Sequence, residues 1–139
     1  MAGFRELENI TADMGIEAWG SSLEDAFVSA ADGLAALLSD LPSGDHPLTR
    51  KVRIQAESLP SLLVQFLNEL VYLEETQGFL PGKITHLKIH NDNLDATVTG
   101  ALYDPGVHSI NAQIKAATYH GLEIRENGDE VRIKVILDV

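Results

Sequence analysis

Three charged side chains are candidates for a functional site, and the two carboxylates among them could hold a cation. Asp13 lies between two short, partly apolar stretches, and Lys115 lies in an otherwise uncharged segment. Asp138 immediately precedes the last residue, Val139. An aspartate beside a terminal carboxylate concentrates negative charge, and oxygen ligands of this kind suit hard cations such as calcium or magnesium. The plainer interpretation of Asp138-Val139 is a solvated chain end, which is the commoner state of a terminus.

The five histidines also invite a metal interpretation. His86 and His90 have the four-residue spacing of a helical metal site, but their surroundings alternate as in a strand, where four residues span about 13 Å. One ion therefore cannot touch both, and they are predicted to line a solvent face. His46 lies in a loop with no evident partner. His108 and His120 both lie between Tyr103 and Ile124, and their spacing does not exclude either of them as a metal ligand.

The composition excludes several classes of protein. A chain of 139 residues fits a single domain spanning 1–139, and the absence of cysteine removes disulfides and thiolate chemistry. No apolar run is long enough to cross a bilayer, and the first residues lack a secretory signal, so we expect a cytoplasmic protein with no membrane partner. The net charge of −11 predicts no strong direct binding to nucleic acid, so any RNA would be held by another protein.

The first half of the chain predicts two strands, a helix, a strand and a second helix. Strands are expected over 4–10 and 15–19, and apolar residues at three- and four-residue spacing predict a helix over 21–39, with Ser21 and Glu24 as its capping box. Alternation around 52–56 indicates a strand with one buried face. Ser58 is the predicted N-cap of the second helix, which ends before Gly78 and Pro81-Gly82.

The second half predicts hairpins joined by turns. One crosses Asn91-Asp92-Asn93, and the last runs over 122–137 across Asn127-Gly128, a dipeptide that strongly favours a tight turn. Asp104-Pro105-Gly106 is typical of a turn, and Tyr119–Gly121 is interpreted as the turn that leads into the final hairpin. The predicted class is therefore α+β, with mainly antiparallel β-sheets and two amphipathic helices.

Several motifs, in this order and spacing, resemble one known family. They are Thr11–Gly20 (TADMGIEAWG), Ser22–Phe27 (SLEDAF), Asn68–Leu70 (NEL), Thr76–Phe79 (TQGF), Asp104-Pro105 with His108, Ile114–Leu122 (IKAATYHGL) and Val135–Val139 (VILDV). The chain resembles the archease family, small cytoplasmic proteins that assist a GTP-dependent RNA ligase in tRNA splicing. The match extends over nearly the whole chain.

The resemblance implies an archease-like fold and an accessory role without catalysis of its own. It implies a divalent metal ion, calcium first, with magnesium or manganese as alternatives, held by Asp13, Asp138 and an oxygen of Val139. The functional lysine of the family falls on Lys115, so Lys115, Asp13 and Asp138 are expected to activate the partner ligase by promoting its guanylylation and multiple turnover. His120 and Thr118 are the residues expected to support this set.

One departure from the family pattern bears on metal affinity. The family carries an acidic residue and a histidine before Thr-Ala-Asp, whereas this chain has Asn9-Ile10. Two further functions stay open: a general chaperone or protein-binding module, and a metal-dependent hydrolase using Asp13, Asp138 and His120. No nucleophile and base at reliable spacing supports the hydrolase. The sequence leaves tRNA splicing and RNA repair as alternative settings.

Overall fold

The computed structural model describes residues 2–7, 13–41 and 46–139. In chain order, these residues form β1 (Gly3–Leu7), β2 (Met14–Gly20), α1 (Leu23–Leu38), β3 (Ser39–Asp40), β4 (Leu48–Gln55), α2 (Leu59–Gln77), β5 (Phe79–His90), β6 (Asn93–Leu102), β7 (Ser109–Ile110), β8 (Ala116–Asn127) and β9 (Glu130–Asp138). Within the described residues, neither helix is long and apolar enough to span a bilayer.

The strands form two main sheets and one short pair. The first sheet has the order β1-β2-β9-β8, the second has the order β4-β6-β5, and β3 pairs with β7. All of these pairings are antiparallel. The predicted α+β class with mainly antiparallel sheets and two amphipathic helices is confirmed.

Both helices lie between the two main sheets. Helix α1 packs against β2 and β5, and α2 packs against β8 as well as β4 and β5. Phe27, Phe66 and Phe79 are fully buried in the shared core. Burying aromatic side chains of this size stabilises the fold through the apolar area removed from water. One face of each main sheet is thereby covered, and the other face is left toward solvent.

The start of α1 differs by one residue from the sequence prediction. The N-cap is Ser22, whose hydroxyl oxygen accepts a hydrogen bond from the Asp25 N–H at 3.1 Å. Ser21 instead donates its hydroxyl to the Asp25 carboxylate at 2.7 Å. Two adjacent serines offer the same capping chemistry, so the choice between them depends on where β2 ends.

The predicted start of α2 is confirmed, and the predicted end is partly wrong. Ser58 accepts from the Ser61 N–H, and Gly78 closes the helix in the left-handed region with φ of 66°. Pro81-Gly82 does not end the helix but lies inside β5, at an irregularity in its pairing with β6. Proline is tolerated there because β5 is an edge strand.

The final hairpin begins earlier than predicted. Strand β8 starts at Ala116, so Tyr119–Gly121 lies within the strand rather than in a turn before it. The register jumps from Thr118↔Ile136 to Glu123↔Lys134, which inserts three extra residues on β8. Gly121 has φ of 66°, a left-handed conformation that suits glycine. The segment is thus a bulge that projects Tyr119 and His120 into solvent.

The histidines fall largely where the sequence placed them. His86 and His90 are exposed on β5, as predicted. His108 is buried, and its Nδ1 atom accepts a hydrogen bond from the Asp104 N–H at 2.9 Å, which leaves it a structural role in the predicted Asp104 turn. His46 does have a neighbour, because its Nδ1 atom lies 3.5 Å from the Thr99 hydroxyl.

Asp32 on α1 gives the fold a pH dependence. It lines a cleft with His46 and Lys83, where burial raises the pKa of its carboxyl from 3.8 to about 6 and Lys83 partly opposes the shift. Because the folded state holds this proton more tightly than the unfolded state, the contribution of Asp32 to stability falls as pH rises from about 4 to about 6.

Asp32→Asn is therefore expected to raise the free energy of unfolding at pH 7 by about 1 kcal/mol, since solvent screening reduces the larger value that the pKa change alone would give. At about pH 3 the variant and the parent should match. Urea denaturation at both pH values checks this. Asp92→Asn, in an exposed turn, is the control, and an equal gain from both variants would contradict the assignment to Asp32.

Candidate functional site

The pairing of β9 brings Asp13 and Asp138 to one end of the first sheet. The last pair between β2 and β9 is Met14↔Leu137, so one further step in the same register places Asp13 opposite Asp138. On the other side of β9, Ala116 of β8 pairs with Asp138. Directly opposed residues of an antiparallel pair lie about 5 Å apart and point to the same face. Asp13 therefore lies at the same end of the sheet as Asp138, although the two residues are 125 positions apart in the chain.

Lys115 joins the same end of the sheet through its backbone. Its N–H donates to the carbonyl oxygen of Asp138 at 2.8 Å. The preceding residue, Ile114, is 4% exposed and anchors the segment in the core, whereas the Lys115 side chain is exposed. The ammonium group is thus presented from a fixed backbone beside Asp138. The structure brings together the three charged residues that the sequence singled out.

Asn68 on α2 fixes the start of β8, and the sequence reasoning did not identify this role. Its Oδ1 atom accepts from the Ala117 N–H at 2.7 Å, and its Nδ2 atom donates to the Ala117 carbonyl at 3.4 Å. One side chain thereby satisfies both backbone groups of a residue two positions from Lys115. The only sequence signal was an amide on the apolar stripe of an amphipathic helix, which requires a hydrogen-bond partner when partly buried.

Asn68→Ala is expected to destabilise the fold by about 1–3 kcal/mol, because it leaves the buried Ala117 N–H and carbonyl without partners. Chemical denaturation measures the loss, and hydrogen exchange should show faster exchange at the Ala117 amide. Asn127→Ala, on the exposed end of β8, is the matched control. Equal stability of the Asn68 variant and the parent would show that this contact is not needed.

The two residues expected to support the site occupy different positions. The Thr118 hydroxyl donates to the Ile136 carbonyl at 2.9 Å, which ties β8 to β9 two residues before Asp138. His120 lies in the exposed bulge of β8. The contribution of Thr118 and His120 to metal binding stays a prediction. The Thr118 hydrogen bond helps to hold the start of β8 against the end of β9.

The outer face of the first sheet explains an apolar exception in the last strand. Ile136 breaks the alternation of β9, yet it is only 5% exposed although it lies on the face away from the helices. Leu7 and Ile136 close over Gly15, where an added Cβ atom would lie 3.0 Å from Leu7 and 3.2 Å from Ile136. This small cluster packs between the aspartate pair and the rest of the outer face.

Farther along that face, cations and carboxylates are paired. Glu17 accepts from Arg5 at 2.8 Å and from Arg132 at 3.1 Å, and Glu123 pairs with Arg125. Lys115, Asp13 and Asp138 differ, because among the described residues none of the three forms an ion pair within 4.0 Å. Lys115 thus forms no ion pair with either aspartate within the described residues. The site therefore carries charges available to another molecule.

The arrangement fits part of a cation site. Asp13, Asp138 and an oxygen of Val139 would be oxygen ligands for a hard cation, which takes roughly six to eight oxygens when it is calcium. Within the part of the chain that the structure describes, no group of three His, Cys, Asp or Glu side chains could hold a metal ion. Further oxygens would come from water or a partner. The predicted effect of Asn9-Ile10 lies outside the described residues.

Comparisons with known proteins settle the family. The family model described as the Archease protein family matches residues 4–139. The chain belongs to the archease family. It is 32% identical to the protein archease of Pyrobaculum neutrophilum over 133 residues, which cover 93% of this chain and 90% of that relative. The protein archease of Methanothermobacter thermautotrophicus is 31% identical over 142 aligned positions and is covered completely, as is this chain.

Solved structures agree with the archease fold. The solution structure of a protein from Methanobacterium thermoautotrophicum superposes with a TM-score of 0.79 at 30% identity and covers 99% of both chains. The crystal structure of an archease from Thermotoga maritima, described as a possible chaperone, gives a TM-score of 0.64 at 23% identity over 97% of both chains. The family resemblance and the fold drawn from the sequence motifs are confirmed.

Proposed function

We propose that this archease promotes guanylylation and multiple turnover of a GTP-dependent RNA ligase, in tRNA splicing or RNA repair. The observation that carries the proposal is the convergence of Asp13, Asp138 and Lys115 at one end of the first sheet. These are the positions onto which the functional residues of the archease family fall. The three residues come from separate parts of the chain, and none of them forms an ion pair within the described residues, which supports a role in contacting another molecule.

The charge of the site suits contact with an enzyme that handles nucleotides. Lys115 extends a compact, mobile cation that can pair with a phosphate or an acidic group of the ligase. Asp13 and Asp138 would hold a divalent cation, and such an ion supplies charge neutralisation beside phosphate oxygens when bound. The role of these residues is to bind and orient, whereas the bond to GMP forms on the ligase itself.

The overall charge supports docking at a basic surface. The net charge of −11 is complementary to an enzyme whose active-site mouth is basic in order to bind RNA. Such complementarity mainly accelerates association, and its effect falls as salt is raised. The protein would then present its aspartate pair and Lys115 to the ligase.

A reconstituted assay tests the proposal. The cognate ligase is incubated with labelled GTP and a divalent metal, with this protein added below the ligase concentration, and ligase–GMP formation and ligation turnover are followed. The expected result is faster guanylylation and more than one ligation cycle per ligase. No gain in either quantity, at any of calcium, magnesium or manganese, would reject the proposal.

A general chaperone or protein-binding module is the second candidate, and a specific feature favours it. Leu102, Tyr103 and Val107 are 51%, 42% and 60% exposed and lie close together in the chain around the Asp104 turn. Neighbouring exposed apolar side chains are typical of protein-binding surfaces. Suppression of aggregation of unrelated proteins by both the parent and an Asp13→Ala/Asp138→Ala variant would support this function instead.

A further inference from the structure

The second sheet has a charge opposite to that of the whole protein. Strands β4, β5 and β6 carry Arg50, Lys51, Arg53, Lys83 and Lys88, which are five of the ten Lys and Arg residues in the chain. The only carboxylate on these strands is Asp95. A chain with a net charge of −11 thus concentrates half of its permanent cations on one small sheet.

The register places the exposed cations on the solvent side. Lys51, Thr97 and His86 form one row across β4, β6 and β5, and Arg53, Asp95 and Lys88 form the next. Residues between these rows, such as Val52 and Ala96, are buried toward the helices. We name Lys51, Arg53, His86, Lys88 and Thr97 the basic face. These residues line a shallow groove of about 500 Å³.

The positive charge of the basic face is only partly neutralised. Arg53 pairs with Asp95 at 2.8 Å, and both side chains remain well exposed. Among the described residues, neither Lys51 nor Lys88 has a carboxylate within 4.0 Å. On the first sheet, by contrast, Arg5, Arg125 and Arg132 are each paired. Unpaired cations grouped on a groove are the feature expected of a surface that receives an anionic partner.

The spacing of the cations suits an extended chain of phosphates. Alternate residues along a strand lie about 7 Å apart, and β4 and β5 lie about 10 Å apart across β6. The groove between them offers a hydroxyl from Thr97 and an imidazole from His86. Lysine and arginine contact phosphates, hydroxyls contact phosphates and sugars, and imidazoles stack on unpaired bases.

We infer that the basic face binds the phosphate backbone of single-stranded RNA. The choice of RNA over an acidic protein segment rests on the proposed function, in which the partner enzyme joins RNA ends. With about three cations engaged, binding is weak and strongly salt-dependent, which agrees with the absence of strong nucleic-acid binding expected from the net charge. The basic face lies on a different sheet from the aspartate pair, so one protein contacts the RNA and the ligase with separate surfaces.

The test uses the full chain without ligase. Fluorescence anisotropy measures binding of a labelled single-stranded RNA of about 12 nucleotides over a range of salt. For the parent, the logarithm of affinity should fall with the logarithm of salt with a slope of about −2, since each engaged phosphate contributes about −0.7 for a single strand. Lys51→Ala/Lys88→Ala should reduce affinity at low salt at least about 10-fold and bring the slope to about −0.7.

The matched control is Arg5→Ala/Arg125→Ala, which removes the same charge from exposed positions of the first sheet. It should bind RNA within about twofold of the parent. Equal losses in the two double variants would mean that net charge, not the basic face, determines binding. Absence of salt-dependent RNA binding by the parent would overturn the inference, as would tighter binding of a polyglutamate peptide of equal charge than of the RNA.

A second readout separates this inference from the proposed function. Guanylylation of the ligase needs no RNA, so Lys51→Ala/Lys88→Ala should stimulate it as the parent does, while RNA binding is lost. If the parent fails to stimulate the ligase but binds RNA through the basic face, the inference stands and the proposed function falls. If the parent stimulates the ligase but does not bind RNA, the inference is contradicted and the proposed function is supported.

Discussion

Asp138→Asn is expected to reduce stimulation of ligase guanylylation at least about 10-fold. Partners that merely orient metal ligands commonly contribute 10- to 100-fold to metal affinity or activity, and Asp138 would be a ligand itself. The asparagine keeps the shape of the side chain and the backbone pairing to Ala116 and Lys115. Because the residue is exposed, the stability of the metal-free protein should be nearly unchanged.

A direct binding measurement separates metal loss from ligase loss. A ligand that binds only the folded state raises its stability in proportion to the logarithm of one plus its concentration over Kd. Calcium should therefore raise the Tm of the parent and leave that of Asp138→Asn nearly unchanged. Asp129→Asn, an exposed aspartate in the turn at the other end of the same hairpin, is the control with the same charge change.

Two outcomes would contradict this assignment. Equal calcium stabilisation of the parent, Asp138→Asn and Asp129→Asn would show that calcium binds away from the aspartate pair. Full stimulation of the ligase by Asp138→Asn would show that the pair takes no part in activation. The same experiment with Asp13→Asn should give the same result as Asp138→Asn, because one step beyond the last pair, Met14↔Leu137, brings Asp13 to the position opposite Asp138.

The elements of the fold could be predicted because local patterns and tertiary packing agree. Both helices follow an apolar stripe with a serine cap, and strands β4 and β6 of the second sheet alternate between more and less exposed residues over most of their length. The errors occurred where two adjacent residues offer the same local chemistry, as at Ser21 and Ser22, or where proline and glycine lie inside an edge strand. Such choices depend on neighbouring strands that no local window contains.

The position of Asp13 and Asp138 at the same end of the first sheet could not be predicted from local sequence patterns. It depends on pairing between the second and the last strand of the chain, and periodicity carries no information about partners. One signal was present in Ile136, which breaks the alternation of β9. An apolar run with both faces covered is typical of a central strand. The last strand is indeed central, between β2 and β8.

The basic face could not be predicted from the net charge of the chain either. A sum over the chain does not show how charges are distributed, and the acidic residues dominate that sum. The alternation of Lys51, Arg53, His86 and Lys88 was visible, but only the register across β4, β6 and β5 places these residues on one surface. The support that Asn68 gives to Ala117 was equally hidden, since the two residues lie 49 positions apart.

Lys115→Ala is expected to lower ligase stimulation at least about 10-fold while leaving the fold intact. The contact of Lys115 with Asp138 is made by its backbone N–H, which alanine retains, and its side chain is exposed. Lys115→Pro removes that N–H and should also destabilise the strand end. Comparison of the alanine and proline variants by denaturation and by stimulation therefore separates the side chain from the backbone.

The sign of the change in metal affinity distinguishes Lys115 from the aspartates. Removal of a positive charge beside two carboxylates lowers the repulsion felt by a divalent cation, so Lys115→Ala should bind calcium as well as the parent or a few-fold more tightly. Asp138→Asn should lose both calcium binding and stimulation, whereas Lys115→Ala should lose stimulation alone. A loss of calcium binding in Lys115→Ala would instead assign the lysine to holding the site together, because a cation cannot be a ligand of another cation.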